Sequence, residues 1–545
     1  MIQSRCRLLL PLIACVLVAT VAPALADDAP VPSRTLRVTV EPGLGPATPA
    51  AEMEIYDEAH LDRLEKHWEK LMRKGMNPRT WKTLPDAPGV NVEDIRPRNA
   101  PTTDLARGAS NIVLEVNTQP SDAAGAGFRS TVQEPSTAAG GDVVFYTGNW
   151  YAARSDDGGN TFTFVNPFAG PFADPANEGF CCDQVSVYDE DSNTLFWLQQ
   201  YIPDPGPNGT QRVNVDQNND GTWDCFYDLT PQDAGFPNNN WADYPDIALS
   251  DDHLFVSSNV FATAGGFSGA FAGRIPLAEA STCAPANIDY HTEAGNGSFR
   301  FTRGATDTMY FADHNTTAEM RIWTWPAANA APTAVNRAVT AWSNAGRVCP
   351  GPDNRDWCGF IDFRMMGAFL ADGVAGWLWT PAQTGAGGFP FPYTQIARFD
   401  TTNNLALVDE PQIWAADRAF VYGSAAVNNN GDVGGAIMWG GGAFFPSCSV
   451  WLADDENGDT FSPLEHEPVI EGTTGPGSNR SGDYLSVRTY HPNDAAYVSA
   501  CFAYEVTTRG TARYTLFGRQ SSFSTVFGDG FEIGNTSNWD NQVVD

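Results

Sequence analysis

ARSDDGGNTF, Ala153 to Phe162, is the stretch whose reading decides the fold: it sets Ser155, Asp157, Gly159 and Thr161 at alternating positions and closes on Phe162. Ser155 and Asp157 carry short polar side chains able to hydrogen-bond the amides of a tight turn, Gly159 permits a positive φ, and Phe162 returns the chain to an apolar sheet. The chemistry of such a hairpin is structural, so it speaks for a fold before an activity. A degraded copy, DDENGDTF, keeps Gly458, Thr460 and Phe461 but has Asp454 at the Ser position and Glu456 at the Asp position.

Outward from this hairpin, similar units recur, each with a polar or acidic lead-in, a short apolar strand, a turn and an aromatic-rich strand. They open at Glu134, Asp183, Asp243, Arg300, Asp362, Tyr422 and Asp483, spaced 49 to 62 residues apart. That period leaves room for four strands per unit and signals a propeller or another repeat array. The 51 Gly, 38 Pro and 12% aromatic residues fit many short strands joined by turns. Four-stranded sheets with two apolar faces bury both by stacking in a ring, and the strand Ile112 to Val116 is placed to close it beside Tyr514 to Phe517. A pair of β-sandwiches is the alternative architecture.

The two hairpin motifs resemble the Asp-box of sialidase-like β-propellers, and the first fits S-x-D-x-G-x-T-[FW] in full. The resemblance implies an all-β, seven-bladed β-propeller, here over residues 108–519. Active sialidases of that family use three arginines for a substrate carboxylate, a Tyr/Glu nucleophile pair, an Asp acid/base and an early RIP motif. GRIP spans Gly273 to Pro276 here, but Arg274 follows the hairpin instead of preceding it and is expected on an outer strand. Arg364 and Arg488 could stand in for two of the arginines, and Tyr484 or Tyr490 for the nucleophile.

Residues 1–26 read as a secretory signal peptide, with Arg5 and Arg7 before an apolar run and a small-residue site at Ala24 to Ala26. No later run approaches the roughly 20 apolar residues that span a bilayer, so a secreted, extracellular or periplasmic, protein is expected. Residues 27–107 form an N-terminal helical extension: Met53, Ile55, Leu61, Leu64, Trp68, Leu71 and Met72 fall near helical spacing, and Leu84 to Pro101 reads as a linker. The C-terminal tail, 520–545, contains FGDGFEIGNTSNW, which resembles a short element on many exported proteobacterial proteins.

With 65 acidic and 32 basic residues the net charge is -33, which disfavours nucleic acid and anionic membranes as partners. Cys6 and Cys15 leave with the signal, and the eight remaining cysteines favour disulfides in an exported chain. Cys349 with Cys358 and Cys448 with Cys501 are the expected pairs. Cys181 and Cys182 are expected to seek Cys225 and Cys283, because a vicinal bond is strained.

DQNNDGTWD places Asp216, Asn218, Asp220 and Asp224 as alternating oxygen ligands around Gly221, a candidate calcium loop competing with a metal-free Asx-rich turn. Calcium is the one cofactor the sequence suggests. An EF-hand is excluded by Tyr227 where a Glu is needed. In a propeller the acidic lead-ins Asp183, Asp243, Asp362 and Asp483 should converge on one rim of the channel, with Glu134 and with Arg364 and Arg488 nearby. Such a rim could bind an extracellular glycan through bidentate arginine contacts, hydrolyse or cleave it with a raised-pKa carboxyl, or simply tie the blades together. Trp150, Trp241 and Trp377 are candidates for stacking on sugar rings.

Overall fold

The computed structural model describes residues 33–38, 41–42, 84–102, 110–124, 128–203, 208–385, 387–491 and 493–523. Their strands form seven antiparallel sheets, one per sequence unit. The first strands of the sheets are Ser136–Gly140, Glu178–Asp189, Asn240–Leu249, Arg300–Phe301, Met365–Ala371, Ala419–Val427 and Ser486–Thr489. Each touches the next, and the last returns to the first, so they form a closed inner ring around one axis. The protein is a seven-bladed β-propeller.

Closure uses the distant strand foreseen from sequence. Ile112–Thr118 pairs antiparallel with Arg509–Arg519 as the outermost strand of blade 7. Between blades the aromatic residues supply the packing: Phe145 lies 5.2 Å from Trp197 at one blade junction. At another, His291 of blade 3 packs edge-on to Phe311 of blade 4 at 5.9 Å. Each such ring contributes roughly 1.5 to 3 kcal/mol by leaving water. Trp241 and Trp377 are spent in this way, fully buried, which corrects the idea that they meet sugars.

The hairpin at Ser155–Phe162 shows why its residues are needed. The Ser155 hydroxyl donates to Asp157 at 2.7 Å and accepts from the Gly159 amide at 2.9 Å, while Asp157 accepts from both the amide and the hydroxyl of Thr161. Gly159 has φ +90°, and a β-carbon there would sit 2.1 Å from the Tyr514 ring of blade 7. Phe162 packs on the same ring at 5.8 Å, so the turn also docks blade 1 on blade 7. Its degraded counterpart ties blade 6 to blade 7 differently: Arg519 bridges Asp454 at 2.6 Å and Glu465 at 2.8 Å.

The N-terminal region contains elements the sequence reading missed. Ser33–Val38 adds a fifth strand outside Ala286–Glu293 of blade 3, and Glu41–Pro42 one outside Cys225–Leu229 of blade 2. The supposed linker is a strap across blades 4 to 6: Leu84 and Ile95 are buried, Arg98 pairs with Glu410 at 3.0 Å, and the Thr102 amide donates to the Trp414 carbonyl at 2.7 Å. The expected amphipathic helix, the signal peptide and the tail beyond Phe523 lie outside the described residues. Among the described residues no helix is long and apolar enough to cross a membrane.

Four disulfides form: Cys349–Cys358, Cys448–Cys501, Cys225–Cys283 and Cys181–Cys182. The first two are the expected pairs, but Cys181 and Cys182 join each other instead of reaching Cys225 and Cys283. The reason is geometric. Cys181 and Cys182 lie on the innermost strand of blade 2 and Cys225 on its fourth, three strand spacings or about 14 Å away. The ladder register shifts between Phe180 and Gln184, where the adjacent cysteines sit.

Candidate functional site in the axial channel

The inner strands begin at one end of the channel, here called upper. Their ladders are broken by bulges between Asp243 and Asp246, between Met365 and Gly367 and between Val421 and Ser424, as at Cys181 and Cys182. A bulge re-aims side chains. Tyr244 and Tyr422 both take φ +57°, a conformation a non-glycine residue keeps only when its surroundings enforce it. Their hydroxyls donate to the Met365 and Gly482 carbonyls at 3.0 and 2.6 Å.

Around these tyrosines, five blades bring Glu134, Asp183, Asp243, Asp362 and Asp483 together with Arg364 and Arg480. The predicted convergence of acidic lead-ins is therefore what the fold produces. Arg364 is fully engaged: Nε lies 2.8 Å from Asp362, Nη2 3.1 Å from Asp483, and Nη1 3.3 Å from Asp483, with the guanidinium over the Tyr244 ring at 4.1 Å. Arg488 does not join this group. It lies deeper in the channel, where the charges acting on it are Arg303, Asp246 and Arg300.

Carboxylates outnumber cations at the upper end, and their titration divides accordingly. Burial, reinforced by Asp483, pushes Glu134 up to about 7. Asp183 is pushed well above the usual carboxylate range by burial and by Glu134, with which it shares a hydrogen bond, so the two titrate as a unit. Burial also raises Asp243. At Asp483 burial is outweighed by Arg364 and Arg480, which hold it below the ordinary value. A protonated carboxyl beside an ionised one is the arrangement general acid–base chemistry requires.

At the opposite end a cavity of about 330 Å³ opens, walled by Tyr188, Glu190, Asp251, Arg303, Arg488 and His491 among others. The His491 Nδ1 lies 3.0 Å from Glu190 and 2.7 Å from Asp494, and its ring stands 5.9 Å from that of Tyr188. The sequence reading put the site at the other rim, although a signal for this end was present: the acid-rich stretches YDEDSN and SDDH, at Tyr188 to Asn193 and Ser250 to His253, lie at the ends of the inner strands Glu178–Asp189 and Asn240–Leu249.

The remaining candidates sit elsewhere. In the Asp216–Asp224 loop, Asp216 accepts from the Asp220 and Gly221 amides and stands 3.7 Å from Arg154, while Asp224 accepts from the Gln217 amide and Asp220 from the Thr222 amide. Asn218 is exposed. These oxygens accept from backbone amides, which closes the turn as an Asx-rich loop. Arg274 lies on the third strand of blade 3 as expected, paired with Asp289 at 3.0 Å. Tyr484 borders the upper cluster, its hydroxyl 3.4 Å from the Gln184 carbonyl, whereas Tyr490 lies at the Gly141 carbonyl.

No protein-family profile and no curated protein matches the chain. Among solved structures, the chain is similar to an alpha-L-arabinofuranosidase from Fusarium graminearum at 9% identity and TM-score 0.35, over 72% of this chain and 94% of that one. It is also similar to the sialidase NanB from Streptococcus pneumoniae at 10% identity and TM-score 0.34, over 74% and 70%. A protein of unknown function from Dyadobacter fermentans aligns at 8% identity and TM-score 0.38, over 75% and 100%.

Proposed function

We propose that the protein is exported and binds an extracellular glycan in the lower end of its channel. The observation that carries this reading is the cavity of about 330 Å³, which combines the size of a small-ligand site with a tyrosine ring and hydrogen-bonding groups of both signs. Such a wall suits a neutral, hydroxyl-rich sugar. An acidic sugar gripped by Arg364 would have to displace Asp483 from it. A glycan array probed with the purified mature protein, beside its Tyr188→Ala and His491→Ala variants, tests the proposal. Binding that weakens at least about tenfold in both variants supports it, and an array on which no glycan binds retires it.

Hydrolysis or lyase cleavage at the upper end is the second reading, favoured by the raised Glu134 beside the depressed Asp483. Release of reducing sugar or unsaturated uronate that Glu134→Gln abolishes would support it. Calcium binding by Asp216, Asn218, Asp220 and Asp224 is a separate proposal, in which carboxylates exchange amide partners for the ion. A melting temperature indifferent to calcium and to chelator would remove it. The kinship of the Ser155–Phe162 hairpin with the Asp-box is likewise proposed, on its hydrogen bonds alone.

A further inference from the structure

Midway along the channel, between the two ends described above, three guanidiniums surround one carboxylate. Asp246 Oδ1 lies 2.5 Å from Arg303 Nη2 and 3.3 Å from Arg300 Nη1, and its Oδ2 accepts from the Phe301 amide. Although burial pushes Asp246 up, Arg303 and Arg300 hold it ionised below its ordinary value. One negative charge is thus shared by two cations, and the third cation, Arg488, has no ion pair among the described residues. Its Nη1 donates to the Val487 carbonyl at 2.9 Å, while Nε is buried without a partner. Arg300 Nη2 is likewise buried and unpartnered.

Arg300 and Arg488 are 4% and 8% exposed, so water does little to offset this excess of charge. An arginine cannot escape by losing its proton. Burial, with Arg303 and Arg300 nearby, strongly disfavours the charged form of Arg488, which is the electrostatic signature of a cation lacking a counterion. All three guanidiniums line a cavity of about 20 Å³, together with the Asp246 carboxylate they surround and with Ser136, Ser424 and Ser486. That is room for one water-sized particle and excludes a sugar carboxylate, sulfate or phosphate.

We propose that this cavity is a monatomic-anion site that takes chloride, held by Arg300, Arg303 and Arg488. The ion would halve the net charge of the three guanidiniums and Asp246, from +2 to +1, and offer an acceptor to the free N–H groups. It would join blades 4 and 7, which contribute Arg300, Arg303 and Arg488 to the inner ring. The site shares Arg303 and Arg488 with the wall of the lower cavity but requires neither glycan binding nor hydrolysis, so its test is run without glycan and reads the ion alone.

The experiment replaces chloride by gluconate, which is too large to enter, at constant sodium concentration and pH, and follows the melting temperature of the mature protein. Melting should rise by a few degrees as chloride is added and then increase only with the logarithm of its concentration, as one-site linkage requires. Arg488→Met should remove the dependence. Crystals soaked in bromide should give an anomalous peak within contact distance of Arg300 and Arg488, a measurement that does not rely on a variant folding. A wild-type melting temperature insensitive to the exchange, or bromide found only on the outer surface, would overturn the proposal and leave a water molecule as the occupant.

Discussion

Gly159 and Gly458 occupy matching positions in the two hairpin motifs, and comparing them separates two costs that sequence cannot distinguish. Both have positive φ, but a β-carbon at Gly159 would collide with Tyr514, whereas at Gly458 nothing lies within 4 Å. Gly458→Ala should therefore cost only the backbone penalty of about 1 kcal/mol, and Gly159→Ala about 2 to 4 kcal/mol, read from denaturant midpoints. Equal losses would show that Tyr514 moves aside freely. Glu134 gives a residue-level prediction in pH. Its pKa is raised from 4.5 to about 7, so the folded state keeps a proton that the unfolded chain releases. The associated stability is fully present below pH 4.5 and is lost as pH rises through 7. Because Glu134 titrates as a unit with Asp183, Glu134→Gln should flatten that decline and be the more stable protein above pH 7, read from denaturant midpoints across the pH range.

Strands and turns carry the ties between blades, and Arg519 is the clearest. It ends the strand Arg509–Arg519, is largely buried, and holds Asp454 and Glu465 of blade 6. Hydrogen bonds from Arg519 hold Glu465 down at about 2. Arg519→Met would leave two mostly buried carboxylates without a cation and should cost about 3 to 5 kcal/mol. Restoring most of that loss by adding Asp454→Asn and Glu465→Gln would identify unpaired charge as the cause; no recovery would point to lost packing. In the second hairpin Asp454 stands where the first has the turn-binding serine, and its carboxylate accepts from Arg519 as well as from the Asn457 amide of the turn.

For the whole molecule, the order of the strands makes different stretches of the N-terminal region matter differently. A chain beginning at Leu84 keeps the closing strand Ile112–Thr118 but uncovers the outer edges of blades 2 and 3, where Glu41–Pro42 and Ser33–Val38 pair. It should fold and tend to self-associate through those edges, visible as concentration-dependent mass in sedimentation. A chain beginning at Phe128 lacks the closing strand and should fail to yield a soluble monomer. A monomeric, equally stable product from that second truncation would mean that blade 7 closes with three strands.

Period and turn chemistry are local properties, which is why seven units and the hairpin at Ser155–Phe162 could be read directly from the chain, while the partnership of Ile112 to Val116 with Tyr514 to Phe517 followed from the need to close the ring. The convergence of Glu134, Asp183, Asp243, Asp362 and Asp483 was legible too, since each opens a unit and a ring must bring such positions together. What each charged group faces was not legible. Arg364 and Arg488 hold similar places after their lead-ins, yet one is saturated by two carboxylates and the other is buried beside two cations, because neighbouring blades supply the partners. The vicinal Cys181–Cys182 bond and the strap over blades 4 to 6 depend on distances across sheets. By itself the sequence determined the ring and which residues crowd its axis; only the tertiary structure decided where the channel opens and which charges are neutralised, since both depend on contacts between blades distant in the chain.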